Sequence, residues 1–63
     1  MAINERQNEI LRTLKESKTA SVNALAKALY VSEATIRRDL AEMKSRGLIE
    51  SISASLWYCV DLR

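Results

Sequence analysis

"YVSEATIRRDL", Tyr30 to Leu40, decides how the chain is read. Ser32 stands where a helix N-cap would stand, and Ile36 and Leu40 are spaced to face one side of the helix that follows. Two adjacent arginines, Arg37 and Arg38, sit beside that apolar pair. On a helical wheel of about 100° per residue with Ile36 as origin, Leu40 and Met43 fall close to it and form the core edge. Ala34, Arg38, Ala41 and Ser45 take the opposite edge, flanked by Thr35 and Arg37. Arg38 therefore points away from the body of the domain, between alanines small enough to let the helix sink into a groove.

Such a face suits the DNA major groove. Arginine forks onto guanine, threonine bonds a base or a phosphate, and the Ala34 methyl can touch thymine. Ser32 can cap the helix and also donate to a phosphate. The competing reading makes the arginines solvated charges paired at helical spacing with Glu33, Asp39 or Glu42, each pair worth a few tenths of a kcal/mol.

Upstream, Ser21 offers an N-cap to "VNALAKALY", in which Val22, Leu25, Ala26 and Leu29 form an inward stripe. The small Ala26 lets another helix cross closely. Two helices, over 22–29 and 33–46, joined by a turn of about four residues make a helix-turn-helix signature. Before them a first helix is expected over 5–17. Asn4 caps it, Gln7 is placed to bond back, and Ile3, Ile10, Leu11 and Leu14 face inward, with Arg6 among the solvated charges. Thr19-Ala20 is β-compatible and can add a residue or two to a sheet.

Downstream, Gly47 suits a left-handed helix end, and Lys44 and Arg46 suit the C-terminal dipole. "LIESISASLWYCVDLR" then reads as a β-hairpin wing over 48–62, turning at Ala54-Ser55, with Trp57 and Tyr58 looking exposed and suited either to cover the core or to form a self-association edge. The fold expected is mainly α with a small β-hairpin: a three-helix winged helix-turn-helix in which residues 1–63 form one domain.

Bulk properties agree with this and exclude much else. The chain has 63 residues, 48% hydrophobic and 29% charged, so it is one small domain near the lower limit for a single unaided core. Cys59 is the one cysteine and histidine is absent, which leaves no internal disulfide, none of the usual zinc sites and no Ser-His or Cys-His nucleophile. With one glycine there is no phosphate-binding glycine loop, so neither metal, cofactor nor enzyme is expected. No signal peptide or membrane span is written in the sequence, and a cytoplasmic protein is expected. The net charge of +2 permits a nucleic-acid partner without demanding one.

"ERQNEILRTLKES" and "SVNALAKALYVSEATIRRDLAEMKSRGLI" together resemble the N-terminal DNA-binding domain of the DeoR-type bacterial transcription regulators, over roughly Glu5 to Ile49. "VSEATIRRDL", Val31 to Leu40, looks like that family's recognition-helix core, supported by Leu25-Ala26 and Gly47 to Ile49. The resemblance implies a sequence-specific module, mostly found in repressors, that binds double-stranded DNA through Ser32, Thr35, Arg37 and Arg38. It also implies a larger sugar-phosphate-sensing domain, absent from these residues, so the chain is a fragment of such a regulator or a free-standing module. Ala34 joins the expected base-reading set, while Ser21, Lys27, Lys44 and Arg46 are candidates for phosphate contacts. Binding as a homodimer to two half-sites is the expected working form.

Two places depart from the family pattern. Tyr30 occupies a turn position that often holds glycine, and the wing carries Glu50, serines and apolar residues, with no Lys or Arg before Arg63. Such a wing fits a second reading, a winged-helix module that docks on a protein partner or on its own copy.

Overall fold

A computed structural model describes residues 4–60. Ile3, placed above on the first helix's stripe, and 61–63, placed at the end of the wing, lie outside the described residues. The elements run α1 (Glu5–Ser17), β1 (Thr19–Ser21), α2 (Val22–Leu29), α3 (Glu33–Ser45), β2 (Ile49–Ser51) and β3 (Leu56–Cys59).

Each helix begins on the residue its sequence offers as a cap. Asn4 Oδ1 accepts the Gln7 N–H at 2.7 Å, Ser21 Oγ accepts that of Ala24 at 3.0 Å, and Ser32 Oγ accepts that of Thr35 at 3.1 Å. A cap of this kind contributes about 1 kcal/mol, which is considerable in so small a domain. Gln7 departs from the expected capping box. Its side chain is buried and turns toward α3 instead of reaching back to Asn4.

The helix ends show where the backbone must reverse hand. Gly47 adopts φ 78°, its N–H bonds Lys44 O at 2.9 Å, and the Leu48 N–H bonds Met43 O at 3.1 Å. This pair of bonds satisfies the last carbonyls of α3, which ends at Ser45 with Arg46 flanking it, one residue earlier than expected. At the end of α2, Tyr30 takes φ 59° and ψ 43°, and the Val31 N–H bonds Ala26 O at 3.1 Å. Glycine would adopt that left-handed conformation freely, whereas tyrosine does so at a cost of about 1 kcal/mol. The chain must turn sharply here for α3 to cross α2.

The expected two-stranded wing is part of a three-stranded antiparallel sheet of order β1-β3-β2. An isolated hairpin leaves the outer edge of each arm open and is marginal in water; Thr19–Ser21 closes the outer edge of β3. The arms are also shorter than the expected 48–62. No glycine is available for a tight two-residue turn, so residues 52–55 form a wider loop in which Ile52 and Ser53 both donate to Leu56 O, at 2.7 and 3.3 Å.

Register fixes which side of the ribbon is buried. Trp57 pairs with Ala20 on one side and Ser51 on the other, Cys59 pairs with Ile49, and Trp57 and Cys59 pack against the core. Tyr58, between them, faces outward. Trp57 is thus a half-buried cover for the core, one of the two roles open to it from sequence, while Tyr58 stays exposed. The core beneath consists of Ile10 and Leu14 from α1, Val22, Leu25 and Ala26 from α2, Ile36, Leu40 and Met43 from α3, and Ile49 from β2. Burying each larger side chain is worth about 1.5–3 kcal/mol.

Candidate nucleic-acid interface

Helix α3 is two-faced, as its spacing predicts. Ile36, Leu40 and Met43 are fully buried, while Ala34, Arg37, Arg38, Ala41 and Ser45 are exposed. The apolar edge clamps the helix to the domain and holds the opposite edge out.

Four of the five residues expected to read DNA, namely Ser32, Ala34, Arg37 and Arg38, are exposed along the first two turns of that helix, and Thr35 is half-buried. Ser32 Oγ and Thr35 Oγ1 lie 3.0 Å apart, so one hydroxyl donates to the other and a single O–H remains for an outside acceptor. Arg37 lies 3.7 Å from Glu33, one turn earlier, and the same Glu33 carboxylate accepts from Asn23 Nδ2 of α2 at 2.9 Å. Arg38 makes no ion pair among the described residues. Of the three acidic partners weighed for the arginines, Glu33 alone is taken, and by Arg37.

Asp39, on the inner shoulder of α3, is buried. Arg6 of α1 grips it through two bonds, Nε to Oδ2 and Nη2 to Oδ1, the second at 3.2 Å. Gln7 Nε2 donates to Asp39 Oδ1 at 3.3 Å and to Glu42 Oε1 at 2.5 Å. Burial alone would push the Asp39 carboxyl up. The hydrogen bonds from Arg6 and Gln7, with the charges of Arg6 and Arg38, outweigh it and hold the carboxyl below its ordinary range. This network ties α1 to α3 and sets the roll of the exposed edge. Sequence reasoning placed Arg6 in solvent and gave Gln7 only a capping role; the available signal was angular, since Arg6 falls about 40° from Ile10 on the wheel.

The residues expected at phosphates are dispersed. Lys27 and Arg46 are exposed, and Ser21 is occupied as a cap. Lys44 turns to the wing, 3.3 Å from Glu50 and 6.0 Å from the centre of the Trp57 ring. The wing itself carries no cation from Gly47 to Val60. An open groove of about 940 Å³ between α1 and the sheet is lined by Leu11, Leu14, Ile52, Tyr58 and Val60 among others, and no residue of α3 contributes to it. Among the described residues no helix is long and apolar enough to cross a membrane.

The DeoR-like helix-turn-helix domain matches residues 6–53 of the chain. Over 46 residues the chain is 48% identical to the HTH-type transcriptional regulator GlpR of Haloferax volcanii, covering 73% of this chain and 18% of that protein. Over 48 residues it is 35% identical to the lactose phosphotransferase system repressor of Staphylococcus aureus, covering 76% of this chain and 19% of that one. The chain thus spans less than a fifth of the length of these relatives. No solved structure matches it.

Proposed function

The chain belongs to the DeoR-like helix-turn-helix family, a DNA-binding module of transcription regulators, and we propose that its α3 enters the major groove of an operator with Arg37 and Arg38 on base edges. The observation that carries this reading is Arg38: exposed, without an ion-pair partner among the described residues, and directly opposite the buried Ile36, Leu40 and Met43 edge. A guanidinium in that position is free to fork onto guanine O6 and N7, worth about 1–3 kcal/mol of discrimination. Ala34 approaches the thymine methyl, and the hydroxyl left over from the Ser32–Thr35 pair bonds a phosphate.

Lys27 and Arg46 add phosphate contacts, so affinity falls with salt by roughly 0.9 in log slope for each phosphate neutralised. A net charge of +2 and a wing without cations make one copy a weak binder. The working form is a homodimer on two half-sites about 34–36 Å apart. One relative is named a repressor, and repression is the sign of regulation we assign. The module acts on DNA in the cytoplasm and performs no catalysis.

Arg38→Ala and Arg37→Ala test the reading in duplex-binding titrations against a site selected from a random pool. Each is expected to weaken the selected site by roughly 5- to 100-fold and to relax preference at one base pair. Unchanged affinity and preference in both variants would remove α3 from the groove.

A further inference from the structure

Glu33 is the first residue of α3, at the helix end that the reading above puts deepest in the groove. A carboxylate is an awkward neighbour for phosphates. Its place in the first turn is favoured by the helix dipole, which accounts for an acidic residue there but not for how it is held. The side chain is held from one direction and flanked by a positive charge on the other. Asn23 Nδ2 reaches across from α2 to Oε2 at 2.9 Å, and Arg37 Nη2 lies 3.7 Å from Oε1. Asn23, Glu33 and Arg37 form a chain from one helix to the other beside the exposed edge, and all three are exposed.

This arrangement has two chemical consequences. A carboxylate one turn away biases the arginine toward that side of the helix, by the few tenths of a kcal/mol of an exposed pair, so part of its ordering precedes contact with a base. The 3.7 Å separation is longer than a hydrogen bond, so Oε1 keeps its lone pairs for another donor. In the major groove the donor a carboxylate selects is the cytosine N4 amino group.

We propose that Glu33 is a specificity-determining residue of the operator contact: held by Asn23, its carboxylate accepts from a cytosine amino group while it steers Arg37 onto a neighbouring guanine. The inference rests on α3 lying in the major groove. Glu33 and Arg37 then read as one unit, and an A·T pair at that step is penalised because its one amino donor, adenine N6, lies between the N7 and O4 acceptors that repel the carboxylate.

Selection from a random duplex pool, followed by titration of the winning and a scrambled duplex, tests this on the 63-residue chain with Glu33→Gln, Glu33→Ala, Asn23→Ala and Arg38→Ala. Glu33→Gln is expected to bind the scrambled duplex several-fold more tightly, since one negative charge near phosphate is gone. It should also lose about tenfold of preference for the selected cytosine and gain preference for adenine, which an amide reads through N6 and N7. Glu33→Ala should lose the cytosine preference without the gain, and Asn23→Ala should weaken it partially. Thermal melts check that each variant is folded. If Arg38→Ala abolishes site preference while both Glu33 variants select the wild-type sequence unchanged, the role of Glu33 is overturned and the groove reading stands. If Arg38→Ala and the Glu33 variants all match wild type, both fall together.

Discussion

Among the described residues two ion pairs tie α3 to the rest of the domain, and their carboxylates occupy different environments. The Asp39 carboxylate is 4% exposed where Arg6 grips it, whereas Lys44 and Glu50 meet at 3.3 Å with side chains 46% and 45% exposed. In the first pair the carboxylate is shielded from water although Arg6 is 38% exposed; the pair shares its acceptor with Gln7 and fixes how α3 rolls on α1. The second is screened and contributes little to stability. Its consequence is electrostatic: Glu50 and the Trp57 ring take up the cation at the wing end of α3, while Arg38 near the start of the helix stays free. Within α3 itself, the cation without an ion-pair partner among the described residues therefore lies in the first half of the helix.

Replacing Asp39 should break the comparison most forcefully. Asp39→Ala leaves the buried Gln7 amide short of one acceptor and the Arg6 guanidinium without its carboxylate; hydrogen bonds to a charged group of this kind put the loss at about 1.5–3 kcal/mol. A domain of 63 residues has few kcal/mol in total, so a large unfolded fraction should appear at 37 °C. Urea denaturation would show it as a lower midpoint with an unchanged slope. A midpoint shift equal to that of Lys44→Ala would mean that burial makes no difference between the two pairs.

The same carboxylate predicts an acid limb. Its folded-state pKa lies below the ordinary aspartate value of about 3.9, so its stabilising contribution is complete above that value and is lost as pH falls through the folded one. Wild-type urea midpoints measured from pH 6 downward should fall more steeply below pH ~4 than those of Asp39→Asn, which starts lower and has no carboxyl to protonate. Parallel curves would show that the Arg6 grip is no stronger in the folded protein than in the unfolded chain.

Much of this was legible in the sequence, and what was hidden has one cause. The caps at Asn4, Ser21 and Ser32, the buried Ile36, Leu40 and Met43 edge, and the left-handed end at Gly47 are all local, set by spacings of four residues or fewer. Arg6 and Asp39 stand 33 positions apart, and no single-helix periodicity registers a partner on another helix. Angular position did hold a hint, because Asp39 falls only about 60° from Ile36, inside the buried sector. Residue type misled, since charges were assigned to solvent. Thr19-Ala20 was legible as β-compatible and does join the sheet as β1, but its partner strand was hidden for a related reason. Three residues carry no period, and the pairing of Thr19 with Tyr58 joins distant parts of the chain. For Trp57 the obstacle was register: a shift of one residue exchanges the two faces of a strand, and without a fixed turn the sequence does not say which set faces the core.

The smallest expected effect lies at the wing end. Lys44 sits on α3 and is exposed, so charge counting alone would assign it a phosphate; because Glu50 already holds it, Lys44→Ala should change duplex affinity less than twofold and leave the salt slope as it was. Glu50→Ala is the informative partner to that variant. It removes a negative charge from the wing and frees Lys44, which predicts a rise in affinity of a few-fold and a salt slope steeper by up to about one phosphate. A loss on Lys44→Ala as large as that on Arg38→Ala would show instead that the ammonium leaves Glu50 when DNA arrives. Charge on α3 would then be shared along its whole length, and the wing carboxylate would act as a counter-ion that DNA displaces.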